Sequence, residues 1–142
     1  LQEHLLGGDR WDMIQPLYPE FGGSYLDHLL KRVERESGKV LVAEVDGEVV
    51  GCIMGVKRML ATKMGASDCK EHSDGLTLEL CVRTEWLRKK IGAALLEAME
   101  AHYREGGVDV IKVGAVASNL DACQFYKKRG YEPWFVYFLK RD

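Results

Sequence analysis

Between residues 76 and 130 the apolar period changes three times, and this succession limits the fold more than any other feature. "LTLELCV" alternates Leu76, Leu78, Leu80 and Val82 with Thr77, Glu79 and Cys81, the mark of a half-buried strand. In "RKKIGAALLEAME", Ile91, Leu95, Leu96 and Met99 follow helical spacing, so a helix starts near Lys90 and stops at Gly106-Gly107. "VDVIKVGAV" is a β-rich strand. "SNLDACQFYKKRG" is a second helix, with Ser118 and Asp121 spaced as a capping box and Gly130 as its C-terminal cap. Strand, helix and strand in succession call for crossover connections within one sheet.

Upstream, "KVLVAEVDGEVVGCIMGV" reads as two strands joined by Asp46-Gly47, a strong two-residue hairpin signal. "SYLDHLLKRVERESG" is a helix in which Ser24 can cap, Leu26, Leu29, Leu30 and Val33 form the apolar stripe, and Gly38 ends the run. "DRWDMIQPLYPEF" opens with a cap at Asp9, but Pro16 and Pro19 bound any helix tightly. Residues 59–75 have weak periodicity and many turn formers, and a loop of that length in a compact domain is more often functional than idle. "YEPWFVYFLKR" reads as a final strand or pair of strands. A hairpin followed by crossovers implies an α/β chain, a mixed α+β sheet with helices on its faces.

A chain of 142 residues, 46% apolar and 30% charged, fits one domain over residues 1–142 and can bury a real core. A net charge of -2 gives no global attraction to nucleic acid. The first 30 residues carry Glu3, Asp9, Asp12, Glu20 and Asp27 against Arg10, which fits either a cationic partner or a solvated acidic face. The 4 cysteines, Cys52, Cys69, Cys81 and Cys123, show no C-x-x-C spacing. Cys52 and Cys81 read as small core residues, and neither a disulfide framework nor a metal site is expected. No apolar run reaches the roughly 18 residues of a membrane span and no signal peptide is visible, so a cytoplasmic setting without a membrane partner is the expectation. The chain begins with Leu rather than Met, which raises the expectation of a missing N-terminal piece.

Arg88, Lys89 and Lys90 are an oddity at the start of a helix, where the dipole disfavours cations by roughly 0.3–1 kcal/mol each. Two readings stand. They are exposed cations that tolerate a small penalty, or they supply charge to an anion held on the helix N–H groups.

Two motifs resemble the GCN5-related N-acetyltransferases, the GNAT family. "LCVRTEWLRKKIGAALLEAME" sits where the family has a strand, a loop of pattern Q/R-x-x-G-x-G/A and a long helix. "NLDACQFYKKRGYEP" matches the family pattern N-x-x-A-x-x-F-Y-x-x-x-G-F/Y at Asn119, Ala122, Phe125, Tyr126, Gly130 and Tyr131. The first motif departs from the family, with Leu87 at the Q/R position, Lys90 at the first glycine and only Gly92 kept. The family's usual first strand is not visible.

The resemblance implies a GNAT fold, with a central, mostly antiparallel sheet, a splayed parallel strand pair and flanking helices. It implies acetyl-CoA as co-substrate, its pyrophosphate at Arg88, Lys89, Lys90, Ile91, Gly92 and Ala93. The pantetheine arm would pair with backbone atoms of Cys81 and Val82, where the strand at 76–82 splays from the one at 108–116. Asn119 would bond the cofactor, and can also cap its helix. Tyr126 would protonate the leaving thiolate, a role that suits a phenol of pKa about 10; without the resemblance it is a half-buried aromatic. Glu79 is the base candidate, because it lies on the non-Leu face beside the expected thioester, and a surface glutamate is its alternative reading. Glu44, Asp74, His72 and His28 are weaker candidates.

The expected activity is N-acetyl transfer from acetyl-CoA to a primary amine of a small cationic molecule, by direct attack without a covalent acyl-enzyme. The acceptor is expected among the segment around Tyr18–Tyr25, the loop 59–75 and the last strand near Trp134. Two alternatives remain: a protein or peptide amine as acceptor, and a non-catalytic acyl-CoA binder. A small-molecule amine is the expected partner, a homodimer is left open, and neither nucleic acid nor metal is expected.

Overall fold

Asp46 and Gly47 decide how the sheet begins. Both take positive φ, 51° and 79°, the pair of left-handed residues that a type I′ hairpin requires. They fold strand β1 (Lys39–Val45) antiparallel onto β2 (Glu48–Leu60), with Val45 opposite Glu48. The computed structural model describes residues 21–60, 72–138 and 140. Helix α1 (Phe21–Arg35) precedes the hairpin. Strand β3 (His72–Val82), a 3₁₀ turn at Thr84–Trp86, helix α2 (Ile91–Glu105), strand β4 (Val110–Val113) and helix α3 (Leu120–Lys127) follow it. The sheet order is β1-β2-β3-β4, with β3 antiparallel to β2 and parallel to β4. A mixed sheet with flanking helices is therefore the fold, as the sequence pattern predicts.

Two apolar clusters cover the two faces of the sheet. Leu95, Leu96, Met99 and Tyr103 of α2 bury against Ile53 and Val82. Leu29 and Val33 of α1 bury against Met54 and Val56 on the opposite face, since neighbouring strand residues point to opposite sides. Each of these side chains stabilises the fold by about 1.5–3 kcal/mol. Tyr103 lies flat in a slot that only glycine can leave open: a Cβ at Gly55 or Gly75 would collide with its ring. Burial pushes the Tyr103 phenol up to about 12, and its hydroxyl lies 3.4 Å from Thr77 Oγ1.

Strand β3 does not keep one face. Met54 pairs with Glu79 and Gly55 with Thr77, so Leu78 is an extra residue, a β-bulge. Leu76 and Leu78 join the α1 cluster, whereas Leu80 and Val82 join the α2 cluster. The single apolar face expected for Leu76, Leu78, Leu80 and Val82 is thus divided in two.

Other local expectations shift as well. Ser24 lies inside α1 rather than capping it. The helix closes with Gly38 N–H donating to Val33 O (2.6 Å) and Ser37 N–H to Glu34 O (3.3 Å), a Schellman pair. Ser37 takes the left-handed position, φ 49°, while Gly38 is required because a Cβ would strike Gly55 O. The strands extend to Leu60 and from His72, so both ends of the loop expected at 59–75 are strand, and its middle, 61–71, lies outside the described residues. The short helix expected within 9–20 lies outside them too. Strand β4 is shorter than the expected 108–116. The final strand is not formed: residues 131–138 are irregular, and Trp134, Phe135, Tyr137 and Phe138 are exposed. None of the described helices is long and apolar enough to cross a membrane.

A buried carboxylate fastens three strands. Asp74 of β3 is fully buried and accepts from Arg58 Nε (2.7 Å) and Nη2 (2.6 Å) on β2 and from Lys112 Nζ (2.9 Å) on β4. Burial alone would raise its pKa, but the bonds from Arg58 and Lys112 outweigh that and hold it below the usual carboxylate value. Ser73 and Asp109 add a second tie between the same elements, through Ser73 N–H to Asp109 Oδ2 at 2.7 Å.

Asp74→Asn leaves two partly buried cations without a counter-charge and should lower unfolding stability by about 2–4 kcal/mol in urea titration. A carboxylate with a depressed folded pKa contributes above its unfolded value of about 3.9 and loses that contribution as pH falls through the folded one. The gap between wild type and Asp74→Asn should therefore close below about pH 4. At the entry to α2, Lys90 sits at φ 65° with no side-chain cap. Lys90→Gly should raise stability by about 0.5–1 kcal/mol, the relief of left-handed strain exceeding glycine's extra chain entropy.

Candidate functional site

The strands that Asp74 fastens at one end separate at the other. Pairing of β3 with β4 runs from Asp74–Val110 to Thr77–Val113. There β4 ends, and β3 continues to Val82. Arg83 N–H donates to Val50 O (2.8 Å), which sets the alternation along the end of β3. Arg83 and Cys81 turn their peptide groups to β2, and Leu80 and Val82 turn theirs to the open side. Cys81 O accordingly lies 3.0 Å from where a Gly51 Cβ would stand. Of the two residues expected to offer backbone atoms, Val82 faces the opening and Cys81 faces β2. Leu80 takes the second place, and strand parity counted back from Arg83 is the signal that finds it.

The open strand leads to a cationic bend. After the Thr84–Trp86 turn, Arg88 and Lys90 adopt φ of 60° and 65°. Lys90, at the position of the family motif's first glycine, thus keeps the left-handed backbone a glycine would favour. Lys90 O accepts the first helical bond, from Ala94 N–H at 3.0 Å. The amides of Ile91, Gly92 and Ala93 precede that bond and belong to the helix end that lacks intrahelical acceptors. A Cβ on Gly92 would meet Val82 at 3.6 Å and Phe125 at 3.8 Å, ordinary contacts. The protein itself therefore tolerates alanine there. Arg88, Lys89 and Lys90 are exposed. Lys89 lies over the Trp86 ring at 4.6 Å, and Arg83 is bound to Glu48 and Glu85, which leaves Arg88 and Lys90 as the cations nearest the helix amides in sequence.

Helix α3 closes one side of this end. Asn119 Oδ1 accepts from Ala122 N–H at 3.1 Å, so Asn119 is the cap. The box expected from Ser118 and Asp121 gives way to it. Gly130, φ 86°, ends the helix as expected, with Tyr131 N–H bonded to Tyr126 O. Tyr126 is half-buried and packs edge-on to Phe125 (5.2 Å) and Tyr131 (5.7 Å). Phe125 reaches Gly92, which brings α3 against the first turn of α2. Tyr131 donates to Glu100 Oε1 at 2.8 Å; burial first, then this bond, holds its phenol far above the ordinary value.

Glu79 lies on the other face. The bulge at Leu78 turns it toward α1, where Tyr25 Oη donates to Glu79 Oε2 at 3.1 Å. Tyr126 packs with the α2 cluster, so the two candidate catalytic groups stand on opposite faces of the sheet. Tyr25 as the partner of Glu79 was not legible from sequence, because nothing in the helical pattern shows which strand residue it reaches. Asp74 is withdrawn as a base candidate by its bonds to Arg58 and Lys112. His28 is exposed on α1, Glu44 is exposed on β1, and His72 begins β3 at the closed end. The Tyr18 part of the expected acceptor region lies outside the described residues. On this face is a cleft of about 590 Å³ lined by Leu26, Leu30, Val42, Met54, Cys52 and Cys81 among others, with neither Glu79 nor Tyr25 in its wall.

Residues 9–131 match the model of the acetyltransferase (GNAT) family. No curated protein sequence matches the chain. Among solved structures, the chain is similar to an aminoglycoside acetyltransferase from an uncultured soil metagenomic sample, in complex with trehalose. Identity there is 25% and the TM-score 0.64, over 81% of this chain and 72% of that one. A tetramutant of the BH1408 protein from Bacillus halodurans superposes with a TM-score of 0.78 at 18% identity, over 99% of this chain and 85% of that one. The aminoglycoside N-acetyltransferase AAC(6')-Iy in complex with CoA gives 0.61 at 13% identity, over 84% and 92%. The family model spans most of the chain and the fold neighbours agree with it: the chain belongs to the acetyltransferase (GNAT) family.

Proposed function

We propose that this chain transfers an acetyl group from acetyl-CoA to a primary amine of a small cationic molecule, by direct attack and without an acyl-enzyme. The observation that carries the reading is the parting of β3 from β4 after Thr77–Val113, with the first amides of α2 just beyond the open strand. Acetyl-CoA, when bound, supplies an activated thioester. The residues present fit such a molecule, since an open strand offers peptide groups and a helix start offers N–H donors and cations. The amides of Ile91, Gly92 and Ala93 would hold the diphosphate, with Arg88 and Lys90 adding charge. Lys89 contributes less because it lies on Trp86. Leu80 and Val82 would align the pantetheine arm, and a strand N–H would polarise the carbonyl. Glu79, bonded to Tyr25, would orient the ammonium and take its proton, through a water where the distance requires one. Tyr126 holds a proton at its phenol oxygen for the departing thiolate. Asn119 serves as helix cap and can turn its amide nitrogen to the cofactor.

Relatives described as aminoglycoside acetyltransferases support a polycationic amine as acceptor. So does the carboxylate of Glu79, bonded to Tyr25 on the α1 face of the sheet. A second reading, a non-catalytic acyl-CoA binder, is favoured by one observation: Leu87 and Lys90 replace the Q/R and glycine of the family loop.

Thiol release from acetyl-CoA across a panel of amines separates the two. Turnover is expected on aminoglycoside-like or polyamine-like acceptors, with peptide amines poorer. Tight coenzyme A binding with no turnover on any amine sinks the enzyme reading. In the active case Tyr126→Phe should lower kcat by about 10²–10³-fold with little change in the KM for acetyl-CoA. Calorimetry tests the phosphate contact. Lys90→Glu should weaken coenzyme A binding by about 10-fold, while Lys31→Glu on α1 should leave it nearly unchanged. Equal effects would return the cations to a solvated role.

A further inference from the structure

The sequence marks Cys52 and Cys81 as small core residues, and the structure sets them face to face. They stand directly opposite on β2 and β3, with Sγ atoms 3.3 Å apart. Both are half-exposed, and both line the cleft on the α1 face.

We propose that Cys52 and Cys81 are a modification site, a dithiol that a small-molecule disulfide entering through the cleft converts to a reversible protein disulfide. In one of two equivalent orders, the Cys52 thiolate attacks one sulfur of the small disulfide. A mixed disulfide forms on Cys52, the sulfur–sulfur bond of the reagent breaks, and one small thiolate leaves. Cys81 then gives its proton to that thiolate and attacks the Cys52 sulfur. The Cys52–Cys81 bond forms, and the second small thiolate leaves to take a proton from solvent. Two protein thiols are oxidised and one small disulfide is reduced to two thiols, so atoms and electrons balance.

The contact supports either order of attack. Either thiol can donate to the other across 3.3 Å, and a donated S–H favours the partner's thiolate, the attacking form. The sulfur that donates then resolves. Reversibility follows from strand geometry. Opposed residues on antiparallel strands have Cβ atoms about 4.5–5.5 Å apart, and a disulfide needs about 3.5–4.5 Å. Closing the bond strains the two strands, and strained disulfides reduce readily. The site is independent of the acetyl-transfer reading, since it rests only on the two thiols and their access.

The test uses oxidised glutathione as probe on the reduced full chain, followed by alkylation of remaining thiols and peptide mapping. The expected product is one linked Cys52–Cys81 peptide pair, lighter by two hydrogens, with Cys123 fully alkylated and the bond reversed by dithiothreitol. In Cys81→Ser, glutathione should remain on Cys52 as a stable adduct. The proposal is overturned if Cys52 and Cys81 stay alkylated while Cys69 or Cys123 takes the glutathione. It is equally overturned if either of the pair links to Cys69, to Cys123 or to a second chain. If Cys81→Ser does not fold, the map of the unmodified chain decides alone.

Discussion

Asp74 is the constraint on which the sheet depends. Its carboxylate is out of water and would be costly there, so it holds Arg58 on one neighbouring strand and Lys112 on the other. That triad, with Tyr103 lying in the slot left by Gly55 and Gly75 on the opposite face, makes one end of β2, β3 and β4 a fixed block. The other end is then free to differ. Because β3 and β4 are tied at Asp74–Val110, they can stop pairing after Thr77–Val113 without the sheet losing its register. A closed end and an open end are two aspects of one arrangement.

The bulge at Leu78 sits where pairing stops, and it does two things with one residue. It transfers Leu80 and Val82 to the α2 face, where they join the core beneath the helix whose N-terminus they approach. It also turns Glu79 to the α1 face, toward Tyr25. A regular strand would have kept Leu76, Leu78, Leu80 and Val82 together and could not have served both helices. Bulges increase local twist and bend the strand that carries them, which suits a strand about to leave its neighbour.

Much of this was legible in the sequence, for physical reasons that can be named. Asp46-Gly47 specified its turn because few residue pairs accept two left-handed conformations. The periodicity of "IGAALLEAME" specified α2 because one face must be apolar. The motif around Asn119 and Tyr126 identified the family, although the capping box placed one residue earlier misjudged which side chain bonds the helix start. What stayed hidden depended on pairing across the chain. The bulge is set by the register against Met54 and Gly55, the Asp74 triad by partners 16 and 38 residues away on neighbouring strands, and the Tyr25–Glu79 bond by 54 residues of separation. The aromatic run after Gly130 has strand propensity and no strand, because propensity forms a strand only where an edge accepts it.

The bend before α2 has a further consequence. Arg88 and Lys90 hold left-handed conformations without being glycine, and for a residue with a Cβ that well is narrow. A glycine in the same place would wander over a much wider region. The strained residues therefore fix the direction of the leading amides, so the anion site proposed there would lose little conformational freedom on association. By this device a chain with Lys90 at the place of a loop glycine holds its leading amides in one direction: rigidity of the backbone stands in for permissiveness.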